Sequence, residues 1–71
     1  MPSGRAEDFR RAARRLGFTL VRQAGSHEQW MHADGRFVTI PIHGAREIGP
    51  PLFNSILKQL GVSTEKFRQL K

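Results

Sequence analysis

Residues 18–43 read FTLVRQAGSHEQWMHADGRFVTIPIH, and this stretch decides the fold. Two groups of turn formers, Ala24-Gly25-Ser26 and Asp34-Gly35, cut it into three short runs: Phe18–Gln23, His27–Ala33 and Phe37–Ile42. Each run is strand length, and the last is rich in β-branched residues. Trp30 is the largest apolar side chain and is expected to face a core. Side chains alternate along a strand, so Glu28 and His32 go to the covered face or its margin, and His27, Gln29 and Met31 to the other. Val38, Ile40 and Ile42 form the matching core set of the third run. Phe37, Thr39 and Pro41 then point outward, with His43 following in phase. In the first run Phe18 and Leu20 share one face, Thr19 and Val21 the other. Pro41 lacks a backbone N–H and marks an edge strand or a strand end.

The faces constrain the second hairpin. A two-residue Asp34-Gly35 turn would pair Trp30 with Thr39 and mismatch the faces. A three-residue loop restores the match. With Ala33-Asp34-Gly35 as the loop, Gly35 takes a left-handed bulge position and His27 lies opposite Pro41; with Asp34-Gly35-Arg36, His27 lies opposite His43. Both registers bring His27 and His43 to neighbouring places on one face.

Helical signals flank the strands. Ala6, Phe9, Ala13 and Leu16 recur at spacings of three and four, which predicts a helix over 5–16 with Ser3 or Gly4 as its N-cap and Gly17 as its stop. Pro50 and Pro51 open a second helix whose stripe is Leu52, Phe53, Ile56, Leu57 and Leu60, ended by Gly61. Ser63 or Thr64 caps a last helical turn through about Leu70, anchored by Phe67. The expected fold is α+β, in the order αβββα: a three-stranded antiparallel sheet with two helices on one face. One domain spans 1–71, with a core over about 5–61 and a short C-terminal helical extension over 63–70. The second sheet face has no element left to cover it and is the expected binding surface.

Size and composition restrict the function. At 71 residues the chain is too small to enclose a deep cofactor cavity, since a domain near this length buries only about 60% of its unfolded surface. It has no cysteine, hence no disulfide framework, thiolate nucleophile or Cys-based zinc site. Twelve Lys and Arg against six Asp and Glu leave a net charge of +6, which favours a polyanionic partner. No apolar run reaches the length of a signal peptide or a spanning helix, and a cytoplasmic location without membrane contact is expected. His27 and His32 are five apart along one strand and face opposite ways, so a metal site is not expected. No Gly-rich phosphate loop is present. What is left is proton transfer by histidine. This suits RNA, which carries its own nucleophile in the 2′-hydroxyl and needs a base, an acid and positive charge near the phosphate. The residues alone stop at a basic αβββα domain that binds nucleic acid.

A resemblance goes further. Gly17-Phe18 with Arg22-Gln23, then Gly25-Ser26-His27, Val38-Thr39-Ile40-Pro41-Ile42-His43, Glu47-Ile48, Ser55-Ile56-Leu57-Lys58-Gln59-Leu60-Gly61 and Glu65-Lys66-Phe67 resemble the HicA family of toxin–antitoxin mRNA interferases, in order and spacing, over residues 6 to 70. The resemblance implies a fold similar to a double-stranded RNA-binding domain, cleavage of mRNA without metal or small-molecule cofactor, and inhibition by a HicB-type antitoxin. It implies that His27 is catalytic, since it occupies the histidine of the family's Gly-Ser-His motif. His43 matches the family's second histidine and is the candidate second proton-transfer group. Lys58 matches a basic residue of the last helix, and Arg22, Arg36, Arg46 and Lys58 are the candidate phosphate ligands. Two departures stand out: Pro51-Leu52-Phe53 replaces a Gly-Thr-Leu step, and Glu28 stands where a second histidine is common. The competing readings are a non-catalytic RNA-binding module of the same fold and an adaptor for an acidic protein.

Overall fold

A computed structural model describes residues 3–42 and 44–71. The elements are α1 (Ala6–Arg15), β1 (Thr19–Ala24), β2 (His27–Met31), β3 (Phe37–Pro41), α2 (Leu52–Leu60) and α3 (Thr64–Leu70). The three strands form one antiparallel sheet in the order β1-β2-β3. This is the expected α+β arrangement, with β3 at an edge, as Pro41 requires.

The hairpin between β2 and β3 takes the three-residue form. Trp30 pairs with Val38 and His27 with Pro41. The His32 N–H donates to the Arg36 carbonyl, and Ala33-Asp34-Gly35 is the loop, with Gly35 at φ +94°. Pairing by face therefore chose the register: Trp30, Val38 and Ile40 are all buried. Between β1 and β2 the turn is Gly25-Ser26, closed by Ala24 opposite His27. Gly25 alone has a positive φ there, +59°, which is glycine's place in a type II′ turn.

The first strand departs from simple alternation. Leu20 pairs with Trp30 but Arg22 pairs with Gln29, so Val21 is an extra residue in a β-bulge. The bulge puts Leu20 on the helix side with Trp30 and turns Arg22 to the other side with Gln29. Strict alternation would have kept Leu20 and Arg22 together.

The helices pack on one face of the sheet and share its core. Phe9 of α1, Phe53 of α2 and Phe67 of α3 form an aromatic triangle with ring centroids 5.0 to 5.8 Å apart. Its third corner is in α3, so that helix closes the core rather than extending from it. Helix α1 starts one residue later than expected. Its cap is Arg5, whose N–H donates to the Asp8 carboxylate at 3.0 Å. The expected caps are used elsewhere: Ser3 Oγ donates to Glu47 at 2.6 Å, and Gly4 exchanges backbone hydrogen bonds with Ile48. Helix α2 follows a cis Pro50–Pro51 peptide and ends in Gly61 at φ +78°. The Val62 N–H reaches Leu57 O and the Gly61 N–H reaches Lys58 O, which satisfies the last carbonyls of the helix. Ser63 caps α3, accepting from the Lys66 N–H at 3.1 Å.

Candidate functional site

His27 is the first residue of β2, directly after the Gly25-Ser26 turn, and its side chain is exposed. Period two sets it on the sheet face away from the helices, with Gln29 and Met31 further along the strand. Its cross-strand neighbours are Ala24 on β1 and Pro41 on β3. Pro41 is buried, whereas Ala24, Thr19 and Phe37 on the same face are exposed. Phe37 is 55% exposed, an aromatic ring standing in solvent at the far end of this surface.

Arg22 is the cation that the sheet brings to His27. It lies opposite Gln29, two residues from His27 on the same face, so the two are diagonal neighbours with Cα atoms about 7–8 Å apart. Only the bulge at Val21 makes this so. A guanidinium beside an imidazole is the minimum that phosphodiester chemistry needs: one group to bind the phosphate and one to move a proton.

The other expected phosphate ligands are placed differently. Arg36 stands opposite His32, five residues or about 16 Å along the strand from His27. Its Nε donates to Asp34 at 2.8 Å, its Nη1 to the Leu60 carbonyl at 3.1 Å, and the guanidinium lies over the Phe18 ring. These contacts clasp the hairpin to the end of α2. Lys58 is exposed on α2 about 100° around the helix from Gln59, the residue that reaches β3. Arg46 is exposed in the segment that leaves β3 at the end where His27 stands, just before Glu47 ties back to Ser3 and Arg5. His43, the candidate second proton-transfer group, lies outside the described residues. Among the described residues, no three His, Cys, Asp or Glu side chains cluster as metal ligands do. Nor, among the described residues, is any helix long and apolar enough to cross a membrane.

Beneath His27 the strand is held by a buried ion pair. Glu28 is 3% exposed and points to the helix side, as its phase predicted. Arg10 of α1 meets it in a forked pair: Nε to Oε1 at 2.9 Å and Nη2 to Oε2 at 2.6 Å. Trp30 Nε1 donates to Oε1 at 3.1 Å. The Arg10 hydrogen bond, helped by Trp30, outweighs the burial and holds the Glu28 carboxyl below its ordinary range. The same bond raises the Arg10 pKa. This clamp joins the residue after His27 to the first helix. The sequence carried one signal for it: an acid in phase with a core tryptophan must be paired, and α1 supplies four arginines.

A concavity lies on the helix side, away from the face of His27. It is an open groove of about 430 Å³ floored by Phe18, Leu20 and Trp30, with Arg10 and Arg14 at its border. The Arg14 guanidinium sits 5.6 Å from the centre of the Trp30 ring.

Two comparisons with known proteins bear on the family of the chain. Residues 6–62 match the family model described as HicA toxin of bacterial toxin-antitoxin. A curated protein of Pseudomonas fluorescens (strain Pf0-1), named Probable mRNA interferase HicA, is 38% identical over 55 residues, which is 78% of this chain and 90% of that protein.

Proposed function

The chain belongs to the HicA toxin family, and on that premise we propose that it is a metal-independent endoribonuclease in which His27 transfers a proton during cleavage of mRNA. It is the toxin of a toxin–antitoxin pair, with mRNA as substrate and a cognate antitoxin as partner. The observation that carries the mechanism is the placement of an exposed imidazole and a guanidinium side by side on a sheet face that no helix covers.

The chemistry follows from RNA's own nucleophile. A base takes the proton of the ribose 2′-hydroxyl, and the 2′-oxygen attacks the adjacent phosphorus. The P–O5′ bond breaks, and an acid protonates the departing 5′-oxygen. The products are a 2′,3′-cyclic phosphate and a free 5′-hydroxyl. Histidine titrates near neutral pH and serves in either proton step. His27 is one such group and His43 the second. Arg22 binds the phosphate and stabilises charge that grows on its oxygens in the transition state. Arg46 and Lys58 extend the cationic path, whereas Arg36, anchored to Asp34 and the Leu60 carbonyl, takes no part in it. A HicB-type antitoxin inhibits the enzyme, with acidic side chains set against its arginines.

The test is incubation of the purified protein with RNA in the presence of a chelator. Wild type is expected to release products ending in 2′,3′-cyclic phosphate. His27→Ala is expected to bind RNA with unchanged affinity and to cleave at least about 100-fold more slowly, the scale of one lost proton-transfer group. RNA binding without cleavage by either protein would instead support a non-catalytic RNA-binding module.

A further inference from the structure

The two edges of the sheet are not alike. On β3, the outward N–H of Thr39 donates to Gln59 of α2 at 2.9 Å, and Pro41 has no N–H to offer. That edge is closed to another strand. On β1 every residue is exposed. The Ala24–His27 pair closes a two-residue hairpin, so the ladder turns the N–H and C=O of Gln23 away from β2. Beside this open edge lie two successive apolar side chains, Leu20 and Val21, each 47% exposed. Next to them is the groove floored by Phe18, Leu20 and Trp30.

The geometry points to β1 as a docking edge for an extended, acidic segment of a partner protein, which adds as a fourth strand and sinks an apolar side chain into the groove. Alternation in the added strand gives it two kinds of neighbour. Its groove-facing residues meet Leu20 and Trp30, with Arg14 at the border. Its other face passes Arg22. Among the described residues neither Arg14 nor Arg22 is paired with a carboxylate, and Arg10 is already committed to Glu28. The chemistry selects among occupants. A second copy of this chain would bring another +6 to a border of arginines. An RNA strand would set polar base edges against an apolar floor whose one carboxylate is satisfied by Arg10 and Trp30. An aliphatic side chain flanked by carboxylates meets neither difficulty. The surface lies on the edge and helix side of the sheet, so docking leaves the face of His27 uncovered. The inference rests on the preceding reading only for the existence of a protein partner, and not on the role of His27.

The experiment uses a fluorescent eight-residue peptide alternating glutamate with valine, and a control with serine in place of valine. Anisotropy titrations are run with the full chain and with Leu20→Ser, Gln23→Pro and His27→Ala. Leu20 is exposed, and the Gln23 N–H faces outward, so these changes spare the core and the ladder; circular dichroism verifies the fold. The valine peptide is expected to bind wild type and His27→Ala alike, and to lose at least tenfold in affinity with Leu20→Ser and with Gln23→Pro. The Gln23 amide is expected to gain hydrogen-exchange protection on binding. Equal binding of the serine control, or unchanged binding by both edge variants, would overturn the proposal. So would protection of the Gln23 amide by a single-stranded RNA oligonucleotide, or by self-association in sedimentation at high concentration. Loss of the nuclease reading through an active His27→Ala leaves these outcomes unchanged, so the two failures are told apart.

Discussion

Glu28 shows how one residue links stability to the site. It sits between exposed His27 and buried Trp30, and its carboxylate is met by a forked arginine and an indole N–H. Its folded pKa lies below the ordinary value of 4.5. The clamp therefore contributes fully above about pH 4.5 and is lost as pH falls through the depressed folded value. Thermal melts from pH 7 to pH 2 are expected to fall in this acid range, and to fall less in Glu28→Gln. At pH 7 that variant removes the buried carboxylate from Arg10 and leaves it only the exposed Glu7 as an ionic partner. It is expected to lose about 2–3 kcal/mol, under the 3–5 kcal/mol of a fully buried broken pair because the Arg10 side chain keeps some contact with water and with Glu7. Denaturant unfolding at neutral pH measures this. Arg36 illustrates the opposite case. Its charge marked it as a phosphate ligand, yet it is anchored to Asp34 and to the Leu60 carbonyl, 24 residues away. Residue type reveals a charge; it does not reveal a partner supplied by a distant helix end.

Two glycines that end elements carry a graded prediction. Gly35 and Gly61 both have φ in the left-handed region, +94° and +78°. A Cβ at Gly35 would meet open space, whereas one at Gly61 would come within 2.7 Å of Arg36 Nη1. Gly35→Ala is expected to cost about 1 kcal/mol from backbone strain alone. Gly61→Ala is expected to cost about 2 kcal/mol, because it also pushes Arg36 off the Leu60 carbonyl. Melting of both variants beside wild type checks the order. Much of this scale was legible beforehand. The element order came from spacing, and the three-residue hairpin loop from the demand that Trp30 and Val38 share a face. The β1 bulge was not legible. Leu20-Val21 reads equally well in either phase, and no glycine marks the extra residue. The pairing of Glu28 with Arg10 escaped for a related reason: α1 has four arginines, and only the packing angle decides which one faces the sheet.

The whole molecule is held by a small core whose weight lies in three phenylalanines from three helices. The family match ends at residue 62, yet Phe67 is buried against Phe9 and Phe53. Phe67→Ala is expected to cost about 3–5 kcal/mol, a large share of the roughly 4–11 kcal/mol that holds a domain of this length. Circular dichroism melting tests it, and retention of the wild-type midpoint would show that α3 is dispensable. The candidate site depends on this core only through the strand that Glu28 and Trp30 pin down.

The added residue at Val21 divides the first strand between two tasks. It shifts the phase of one strand midway, so the half before it serves the interior and the half after it delivers a cation to the reacting surface. Were the strand to keep its length and lose the bulge, Arg22 would fall opposite Glu28 and rotate away from the imidazole, with composition, charge and hydropathy unchanged. The position that delivers the cation is therefore set by which residue pairs with Gln29, not by a fixed count along the strand.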